Sequence, residues 1–295
     1  MTYSYEEDVL GNIAGIEKNS ADETFTFSNM LPRGYLSVSQ IVQYQKCGKA
    51  YYYRYIEERR SPTNHYMVQG RGVHRSAELL HLSLIEDINA PLTQEEMESH
   101  YSDLHDDEIS AVEEFPEGHD AGTLKDEGLN LVRLYRKGAL GEVEGQHGAY
   151  MEPVKPVAAE KVVRATLRPE NSEPVPFFGV IDLEQEYSVV DIKTKQKAAA
   201  QSEADNSLQL SLYAEVTKKP DVALHQLIKP TKRMPARYLR TPSIRTRSEI
   251  SHALDIAGEV ATDIALGRFR RTDPNSWWCT KKWCSYWDSC RGRQR

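Results

Sequence analysis

The chain has 295 residues, and 39% of them are hydrophobic. This is enough apolar content for one large globular domain or two modest ones. The formal net charge of -7 at pH 7 argues against nucleic acid as a partner only if charge is evenly spread, because a ligand responds mainly to local fields. Apolar runs are all far shorter than the roughly 20 residues that cross a bilayer, so no membrane partner is expected.

The first half of the chain is predicted to be helical. Residues 1–30 lack hydrophobic periodicity, so we expect a flexible tail there. Further on, apolar residues recur at helical spacing, and Ser37 or Ser39 can cap the first helix. The predicted helices cover residues 40–59, 70–87, 97–115 and 126–137. In the second of these, His74 flanks an apolar stripe that is expected to face the core.

Acidic residues dominate the stretch from Glu95 to Glu127, in which Lys125 is the one basic residue. A helix with one strongly charged face lies at the protein surface. We therefore interpret residues from about 88 to 150 as a solvated helical insert.

The second half of the chain is predicted to form a mixed α/β core over residues from about 155 to 266. Predicted strands cover residues 161–167, 177–186, 188–194, 224–228 and 236–239. Predicted helices cover residues 207–218 and 248–266. The second and third strands are joined by a short turn and are expected to pair antiparallel. This order predicts a mixed sheet flanked by helices, within a single domain over residues 31–295.

Two neighbouring strands carry carboxylates at the ends of apolar runs. Asp182 lies in FGVID, and Asp191 lies in VVDIK. The period of two places Asp191 and Lys193 on the same side of their strand. Two close carboxylates repel unless a cation lies between them, and their hard oxygen atoms suit Mg2+ or Mn2+.

Such an arrangement suits metal-dependent hydrolysis of a phosphodiester, with the lysine orienting a water molecule. A salt-bridged strand edge at the surface is the alternative interpretation. Gln209 and Tyr213, one helical turn apart, share a face that can look over the same site.

The four cysteines lie near the two ends of the chain. Cys279, Cys284 and Cys290 have a spacing that suits one metal centre, and Cys47 can supply a fourth thiolate. The opening residues contain no apolar signal-peptide core, so we expect a reducing cytoplasm, where metal ligation is favoured over disulfides. Free buried cysteines are the alternative. The thiolates alone leave iron-sulphur and zinc both open.

Basic residues are concentrated in two regions. The stretch from Lys229 to Arg247 holds seven basic residues and no acidic one. A second region, from residue 268 to the end, interleaves basic residues with aromatic ones. These aromatic residues are Trp277, Trp278, Trp283, Tyr286 and Trp287. Such regions attract a phosphate backbone and stack bases, although a solvated basic face is at least as common.

The order of the motifs resembles the RecB-like branch of the PD-(D/E)XK nucleases. The motifs are GRGVH at 70–74, GVID at 179–182, DIK at 191–193 and QLSLY at 209–213. One cysteine before this core and three after it also resemble the iron-sulphur clasp of the AddB nuclease domain and of the CRISPR-associated Cas-four exonucleases. The resemblance covers residues from about 36 to 290.

This resemblance implies a restriction-endonuclease-like α/β fold with a mixed sheet, flanking helices and a cysteine-rich clasp formed by residues 277–290 and Cys47. It implies a phage or prokaryotic DNA exonuclease that prefers single-stranded ends and uses Mg2+ or Mn2+. Further candidate partners are a second copy of the chain and a protein of recombination or CRISPR adaptation. A non-catalytic iron-sulphur or zinc protein that binds DNA is the alternative.

The resemblance also implies residue roles. The implied metal ligands are His74, Asp182, Asp191 and Ile192. Lys193 would position the attacking water, and Gln209 and Tyr213 would steady the lysine or contact DNA. The implied ligands of a 4Fe-4S cluster are Cys47, Cys279, Cys284 and Cys290.

Three positions stand apart from the family pattern or leave a second interpretation open. Glu160 stands where relatives often have an acidic residue, and a charged surface residue at a strand end is the alternative. Asp191 replaces a frequent glutamate but keeps the ligand oxygens. Four residues separate Cys279 from Cys284, more than relatives commonly have, which makes the cluster type less secure than the nuclease.

Overall fold

The structure is a computed structural model that describes residues 26–145 and 150–291. Contacts within the chain divide it into two compact units. The core unit comprises the described residues of Thr63–Val162 and Val180–Ile250, and the terminal unit comprises the described residues of Met1–Pro62, Val163–Gly179 and Ser251–Arg295. The tail predicted for residues 1–30 falls mostly outside the described residues.

The helices, in chain order, are α1 (Phe27–Met30), α2 (Val38–Lys46), α3 (Gly48–Tyr51), α4 (His65–Glu86), α5 (Gln94–Glu108), α6 (Ala121–Ala139), α7 (Gln201–Asp205), α8 (Leu208–Thr217), α9 (Arg247–Ala265) and α10 (Trp287–Cys290). A π-helix at Tyr52–Ile56 follows α3, and a 3-10 turn at Ile109–Ala111 follows α5. The strands are β1 (Pro156–Leu167), β2 (Val175–Gln185), β3 (Ser188–Lys195), β4 (Asp221–Ile228) and β5 (Arg237–Ile244).

The five strands form one mixed sheet in the order β1-β2-β3-β4-β5. Strands β2 and β3 pair antiparallel around their short turn, as predicted, with Leu183 opposite Val190. Strands β3 and β4 are parallel, which requires a crossover, and α7 and α8 supply it. Strand β5 pairs antiparallel with β4. The predicted fold class, a mixed α/β sheet flanked by helices, is confirmed.

Side-chain caps set where the helices of the core unit begin. Asn64 caps α4 by accepting a hydrogen bond from the Met67 amide, so the helix starts five residues before the predicted start at residue 70. Asp120 caps α6 by accepting from the Thr123 amide, and the predicted start at residue 126 is again too late. In both helices the prediction followed the apolar stripe, whereas the cap that sets the start lies outside that periodicity.

The apolar stripe of α4 lies in the main core of the core unit, as predicted. It packs with α5, α6 and the sheet, and each large side chain buried in this way contributes about 1.5–3 kcal/mol. The fully buried members include Val73, Leu80, Met97, Tyr101, Leu131, Tyr135, Leu183 and Ile192. The acidic helix α5 and the neighbouring helix α6 are therefore exposed on one face only.

Two glycines permit the close packing of these helices. A Cβ atom on Gly72 would lie 2.6 Å from the Tyr101 ring, and one on Gly128 would lie 1.7 Å from the Tyr101 hydroxyl. Neither position can hold a larger residue without moving the ring, because cores pack at crystal-like density.

In the terminal unit, Cys47 interrupts the helix predicted over residues 40–59. Its backbone is extended, with φ of -168° and ψ of 106°, and this ends α2 and starts α3. The adjacent backbone lies close to Arg270, since the Lys49 amide donates to the Arg270 carbonyl at 3.0 Å. The prediction of one continuous helix was wrong, because apolar periodicity does not reveal this tertiary contact.

Other contacts also hold together distant stretches of the terminal unit. The Leu36 amide donates to the Pro176 carbonyl at 2.8 Å, and the Phe178 amide donates to the Leu36 carbonyl at 2.9 Å. Tyr44 donates its hydroxyl hydrogen to the Arg268 carbonyl. Among the described residues, no helix combines the length and apolar character needed to cross a bilayer.

Candidate functional site

Three side chains of the core unit converge from a helix and two strands. His74 lies on α4, Glu160 on β1 and Asp182 on β2. The Nδ1 atom of His74 is 3.5 Å from Oδ1 of Asp182 and 3.7 Å from Oε1 of Glu160. One ligand atom from each of the three residues lies within 4.8 Å of the others. This group can hold a metal ion.

Asp191 and Lys193 lie on β3 and contact each other, as the period of two predicts. Lys193 donates from Nζ to Oδ1 of Asp191 at 2.7 Å. Asp191 is 1% exposed, and its Oδ2 is buried without a hydrogen-bond partner. A buried carboxylate oxygen that lacks a partner is costly, and a cation would satisfy it.

A short hydrogen bond fixes the position of the carboxylate on β2 relative to β3. The main-chain amide of Ile192 donates to Oδ2 of Asp182 at 2.6 Å. The side chain of Ile192 is apolar and buried, so this residue can offer a metal only its main-chain carbonyl oxygen. Of the four predicted ligands, the structure therefore gives three a suitable side chain.

Burial and mutual repulsion shape the charge state of these groups. Burial raises the pKa of Glu160 to about 7, and the nearby Asp182 adds to the effect while His74 opposes it. Burial also raises the pKa of Asp191, against the opposing charge of Lys193. Burial would raise the pKa of Asp182 too, but His74 and Lys193 hold it below its usual value.

The imidazole of His74 partly neutralises this negative charge. Burial disfavours its protonated form, yet Asp182 and Glu160 together raise its pKa to about 10. The site thus gathers three carboxylates around one imidazole and one ammonium group. A divalent cation would relieve the remaining repulsion, and the oxygen-rich donor set with one imidazole fits Mg2+ or Mn2+.

Gln209 and Tyr213 lie on α8, whose start is fixed by a cap from Ser207. The Oε1 atom of Gln209 accepts from Nζ of Lys193 at 3.4 Å. Tyr213 is 4% exposed and donates to the main-chain carbonyl of Val180 at 2.7 Å. These contacts indicate that Gln209 supports the lysine and that Tyr213 supports β2. Because Tyr213 is buried, it is poorly placed to contact DNA.

Glu160 has an unusual backbone for a residue in a strand. Its φ is 43°, in the left-handed region that side chains other than glycine rarely adopt. Strained residues of this kind cluster at functional sites. Its side chain is 9% exposed, which disfavours the surface interpretation.

His81 is a residue near this site that motif reasoning missed. It follows His74 by two helical turns on α4, is fully buried, and lies 2.7 Å through Nε2 from the Tyr135 hydroxyl. Burial lowers its pKa to about 4, with the Asp182 carboxylate acting in the opposite direction. The spacing of seven residues from His74 is the signal in the sequence, because it places both on one helix face.

The four cysteines all lie in the terminal unit and line one pocket with Lys49, Tyr53, Arg271 and Tyr286. They form no disulfide. Burial raises the pKa of the Cys284 thiol, and the other three cysteines raise it further. Four converging thiols suit either zinc or an iron-sulphur cluster.

Aromatic packing and hydrogen bonds join the cysteine-rich segment to the residues after Cys47. The rings of Tyr53 and Tyr286 are 5.4 Å apart, and the Tyr286 hydroxyl donates to the Arg59 carbonyl at 2.9 Å. Arg59 in turn donates to the Ser289 hydroxyl at 2.9 Å. These contacts explain how a cysteine more than two hundred residues away reaches the other three.

The basic stretch from Lys229 to Arg247 is only partly available to a ligand. Arg240 donates to the main-chain carbonyl of Gly138 at 2.7 Å, and Arg245 is 4% exposed. Lys229 is also buried, with its ammonium group 4.6 Å from the Tyr66 ring centre. The exposed members are Lys232, Arg233, Arg237 and Arg247. Almost half of the predicted phosphate-attracting surface therefore serves internal contacts.

Comparison with known proteins gives a family match over most of the chain. A family model described as the PD-(D/E)XK nuclease superfamily matches residues 35–291. No curated protein matches the chain. A solved structure described as SSO0001 is 13% identical, with a TM-score of 0.34, over 74% of this chain and 96% of that chain. At this TM-score the likeness carries no conclusion.

Proposed function

Because the chain belongs to the PD-(D/E)XK nuclease superfamily over residues 35–291, we propose that the core unit hydrolyses DNA phosphodiester bonds with Mg2+ or Mn2+, acting as an exonuclease on single-stranded ends. The observation that carries the proposal is the convergence of His74, Glu160 and Asp182 within 4.8 Å, together with Asp191 and Lys193. The preference for ends and for single strands rests on the resemblance of the ordered motifs to RecB-like nucleases.

Each residue has a distinct role in the proposed reaction. His74, Glu160, Asp182 and Asp191 would hold the cation, which supplies Lewis-acid polarisation of the phosphoryl group when bound. Lys193 would donate a hydrogen bond to the attacking water and orient it towards phosphorus. Gln209 limits the positions open to the lysine, since its amide oxygen accepts from Nζ. Tyr213 steadies β2 just before Asp182.

Substitution of the reactive residues tests the hydrolytic role. Asp191→Ala and Lys193→Ala should each abolish Mg2+-dependent and Mn2+-dependent cleavage of end-labelled DNA. Glu186→Ala, at an exposed position in the β2–β3 turn, is the matched control and should cleave normally. Cation-dependent cleavage retained by both active-site variants would refute the assignment. DNA binding without turnover in the wild-type protein would favour the accessory, non-catalytic alternative.

The form of the DNA tests the preference for ends. Linear single-stranded, linear double-stranded and circular single-stranded DNA are incubated with the protein in Mg2+ or Mn2+. Release of short products from linear single strands, with circles left intact, is expected. Cutting of circles would require an endonuclease instead. Comparison of 5′-labelled and 3′-labelled DNA gives the direction of digestion, because the label is released first at the end where digestion begins.

We also propose that Cys47, Cys279, Cys284 and Cys290 hold a 4Fe-4S cluster with a structural role. The support is the common pocket of the four thiols and the resemblance to iron-sulphur nucleases. Purification without oxygen should give a brown protein with iron and acid-labile sulphide in equal amounts. A colourless protein that contains zinc would overturn the cluster and leave the nuclease proposal intact. A cytoplasmic location stays a prediction from the opening residues, and self-association and a partner in recombination or CRISPR adaptation stay predictions from the resemblance.

A further inference from the structure

The tryptophans of this chain are confined to one short segment. All four, Trp277, Trp278, Trp283 and Trp287, lie within the cysteine-rich stretch. Trp277 is 60% exposed and Trp283 is 46% exposed. Large aromatic side chains are normally buried because each removes 150–250 Å2 or so from water. Two such side chains exposed side by side are a feature typical of binding surfaces.

These two indoles form what we call the indole platform, defined by Trp277 and Trp283. Their ring centres are 5.6 Å apart and their planes meet at 86°. Trp278 also packs against Trp277, with ring centres 5.5 Å apart and planes at 84°. In an edge-to-face pair only one of the two rings gives up a face to the contact, and the exposed fractions of Trp277 and Trp283 show that much of their surface stays accessible.

The same segment also has an inner side, which shows that the platform is not a poorly packed core. Tyr286 is 8% exposed and packs with Tyr53. Turns fix the indoles relative to the cysteines, since the Cys279 amide donates to the Ser276 carbonyl at 2.8 Å and the Cys284 amide donates to the Thr280 carbonyl at 2.9 Å. Trp283 directly precedes Cys284, so ligation of the thiols would hold the platform in place.

Charge around the platform favours an anionic polymer. Residues 268–291 contain six basic residues and two acidic ones, whereas the whole chain has a net charge of -7. The ammonium group of Lys282 lies 5.2 Å from the centre of the Trp283 ring. Lys281 is 77% exposed and pairs with Asp288 at 3.6 Å, a solvated pair that contributes little and is easily replaced by a phosphate.

We propose that the indole platform binds single-stranded DNA by stacking bases on Trp277 and Trp283, while Lys281 and Lys282 attract the phosphates. Indole stacking needs an open base face, which single strands offer and an intact duplex does not. The proposal rests on the proposed function for the choice of DNA and deepens it, because it gives the preference for single strands a physical basis in the terminal unit.

Binding in the absence of divalent cations tests the platform separately from cleavage. The cluster-loaded protein is titrated with end-labelled oligothymidylate and with an abasic oligomer of equal length, which keeps the phosphates and lacks the bases. Replacing both indoles, as Trp277→Ala with Trp283→Ala, should weaken oligothymidylate binding by roughly 5- to 150-fold per stacked base. Binding of the abasic oligomer should not change.

Matched variants identify the cause of any loss. Tyr187→Ala removes an aromatic ring that is 70% exposed in the core unit and should leave both affinities unchanged. Replacement of both indoles by phenylalanine should restore part of the oligothymidylate affinity. Equal losses on both oligomers, or no loss on either, would overturn the platform. Each variant must have the same visible absorbance per chain as the wild type. Equal absorbance shows that the cluster is bound and that the cysteine-rich segment is still folded.

The outcome is separable from that of the nuclease proposal. Loss of the platform with normal cleavage of short linear DNA leaves the core unit as a nuclease and removes only the stacking site. Stacking without any cleavage in Mg2+ or Mn2+ keeps the platform and overturns the enzyme. Quenching of tryptophan fluorescence by oligothymidylate, and not by the abasic oligomer, supports stacking directly, since all tryptophan emission comes from this segment.

Discussion

The two candidate sites of this molecule are built in opposite ways. In the core unit, the ligand side chains lie on a long helix and three paired strands, and internal hydrogen bonds such as that from the Ile192 amide to Asp182 hold them in place. In the terminal unit, three of the four cysteines lie among turns, with the four-residue helix α10 at Cys290. The first site is preformed by the fold. At the second site, a bound centre would link cysteines that lie on separate turns.

The two candidate sites also differ in their donor atoms. Carboxylate oxygens and an imidazole form a hard, exchangeable site, whereas four thiolates form a soft, tightly binding one. The two proposed centres would therefore divide their roles: an exchangeable cation would take part in chemistry in the core unit, and a tightly held centre would take part in structure in the terminal unit.

Removal of one thiolate should have the largest effect and tests that division. Cys284→Ala should lose the bound centre, because this thiol lies with the other three in one pocket. Residues 268–291 should then become sensitive to limited proteolysis. The Mg2+ concentration that gives half-maximal cleavage should not change. Ser285→Ala, at the adjacent exposed position, is the control. A large rise in the required Mg2+ concentration would contradict the separation of the two sites.

Low pH should decrease the unfolding free energy of the core unit, because His81 is buried in its neutral form. His81 has a folded pKa of about 4, lowered by burial, against about 6.5 in the unfolded chain. Between these values the unfolded state binds the proton more readily, so stability is complete above pH 6.5 and is lost as the pH falls towards 4. The difference corresponds to about 3 kcal/mol of unfolding free energy.

Urea unfolding at several pH values measures this loss. His81→Gln should show a smaller decrease in unfolding free energy than the wild type between pH 6.5 and pH 4.5, whatever its absolute stability. His100→Gln, at an exposed position of α5, should follow the wild type. An identical pH dependence in all three proteins would show that another group, such as the buried His225, carries the whole effect.

The sequence predicted those elements whose periodicity is complete within one segment. The alternation in β2 and β3 and the stripe on α4 are of this kind, and they brought Asp182, Asp191 and Lys193 to the correct strands. The length of β5 was underestimated, because the predicted strand followed the apolar residues and ended at Leu239, whereas the observed strand continues through polar residues and Pro242, which an edge strand tolerates. Cys47 looked helical because only its tertiary neighbours reveal the break.

The candidate site shows the same limit. The family pattern suggested Glu160 and left a surface interpretation open, and His81 received no role from the sequence. Only the pairing of strands places Glu160 beside Asp182, and only the packing of α4 on α6 places His81 beside Tyr135. Contacts between segments distant in sequence leave no periodic signal. The order of the motifs predicted the other residues of the candidate site, because the resemblance to the nuclease family assigns roles to those positions.

Glu160 gives a sharper test of the preformed oxygen site. Glu160→Gln keeps the size of the side chain but removes a charged ligand, so the Mg2+ concentration for half-maximal cleavage should rise by about tenfold or more. Glu184→Gln is the matched control on β2, since Glu184 is equally buried but pairs with Lys161 at 2.7 Å. The control should lose stability and keep its cation dependence. The reverse result would make Glu160 a purely structural residue.

The smallest expected effect concerns the support behind the oxygen site. Tyr213→Phe removes only the hydroxyl that donates to the Val180 carbonyl, which should cost about 1 kcal/mol of unfolding free energy. Because Val180 lies two residues before Asp182 on β2, cleavage should slow by a few-fold with an unchanged affinity for DNA. Tyr238→Phe, which removes a buried hydroxyl bonded to His225 at 2.9 Å, should cost similar stability without slowing cleavage. If both variants slow cleavage equally, loosening of the whole core unit explains the effect, and the contact of Tyr213 has no special part in positioning Asp182.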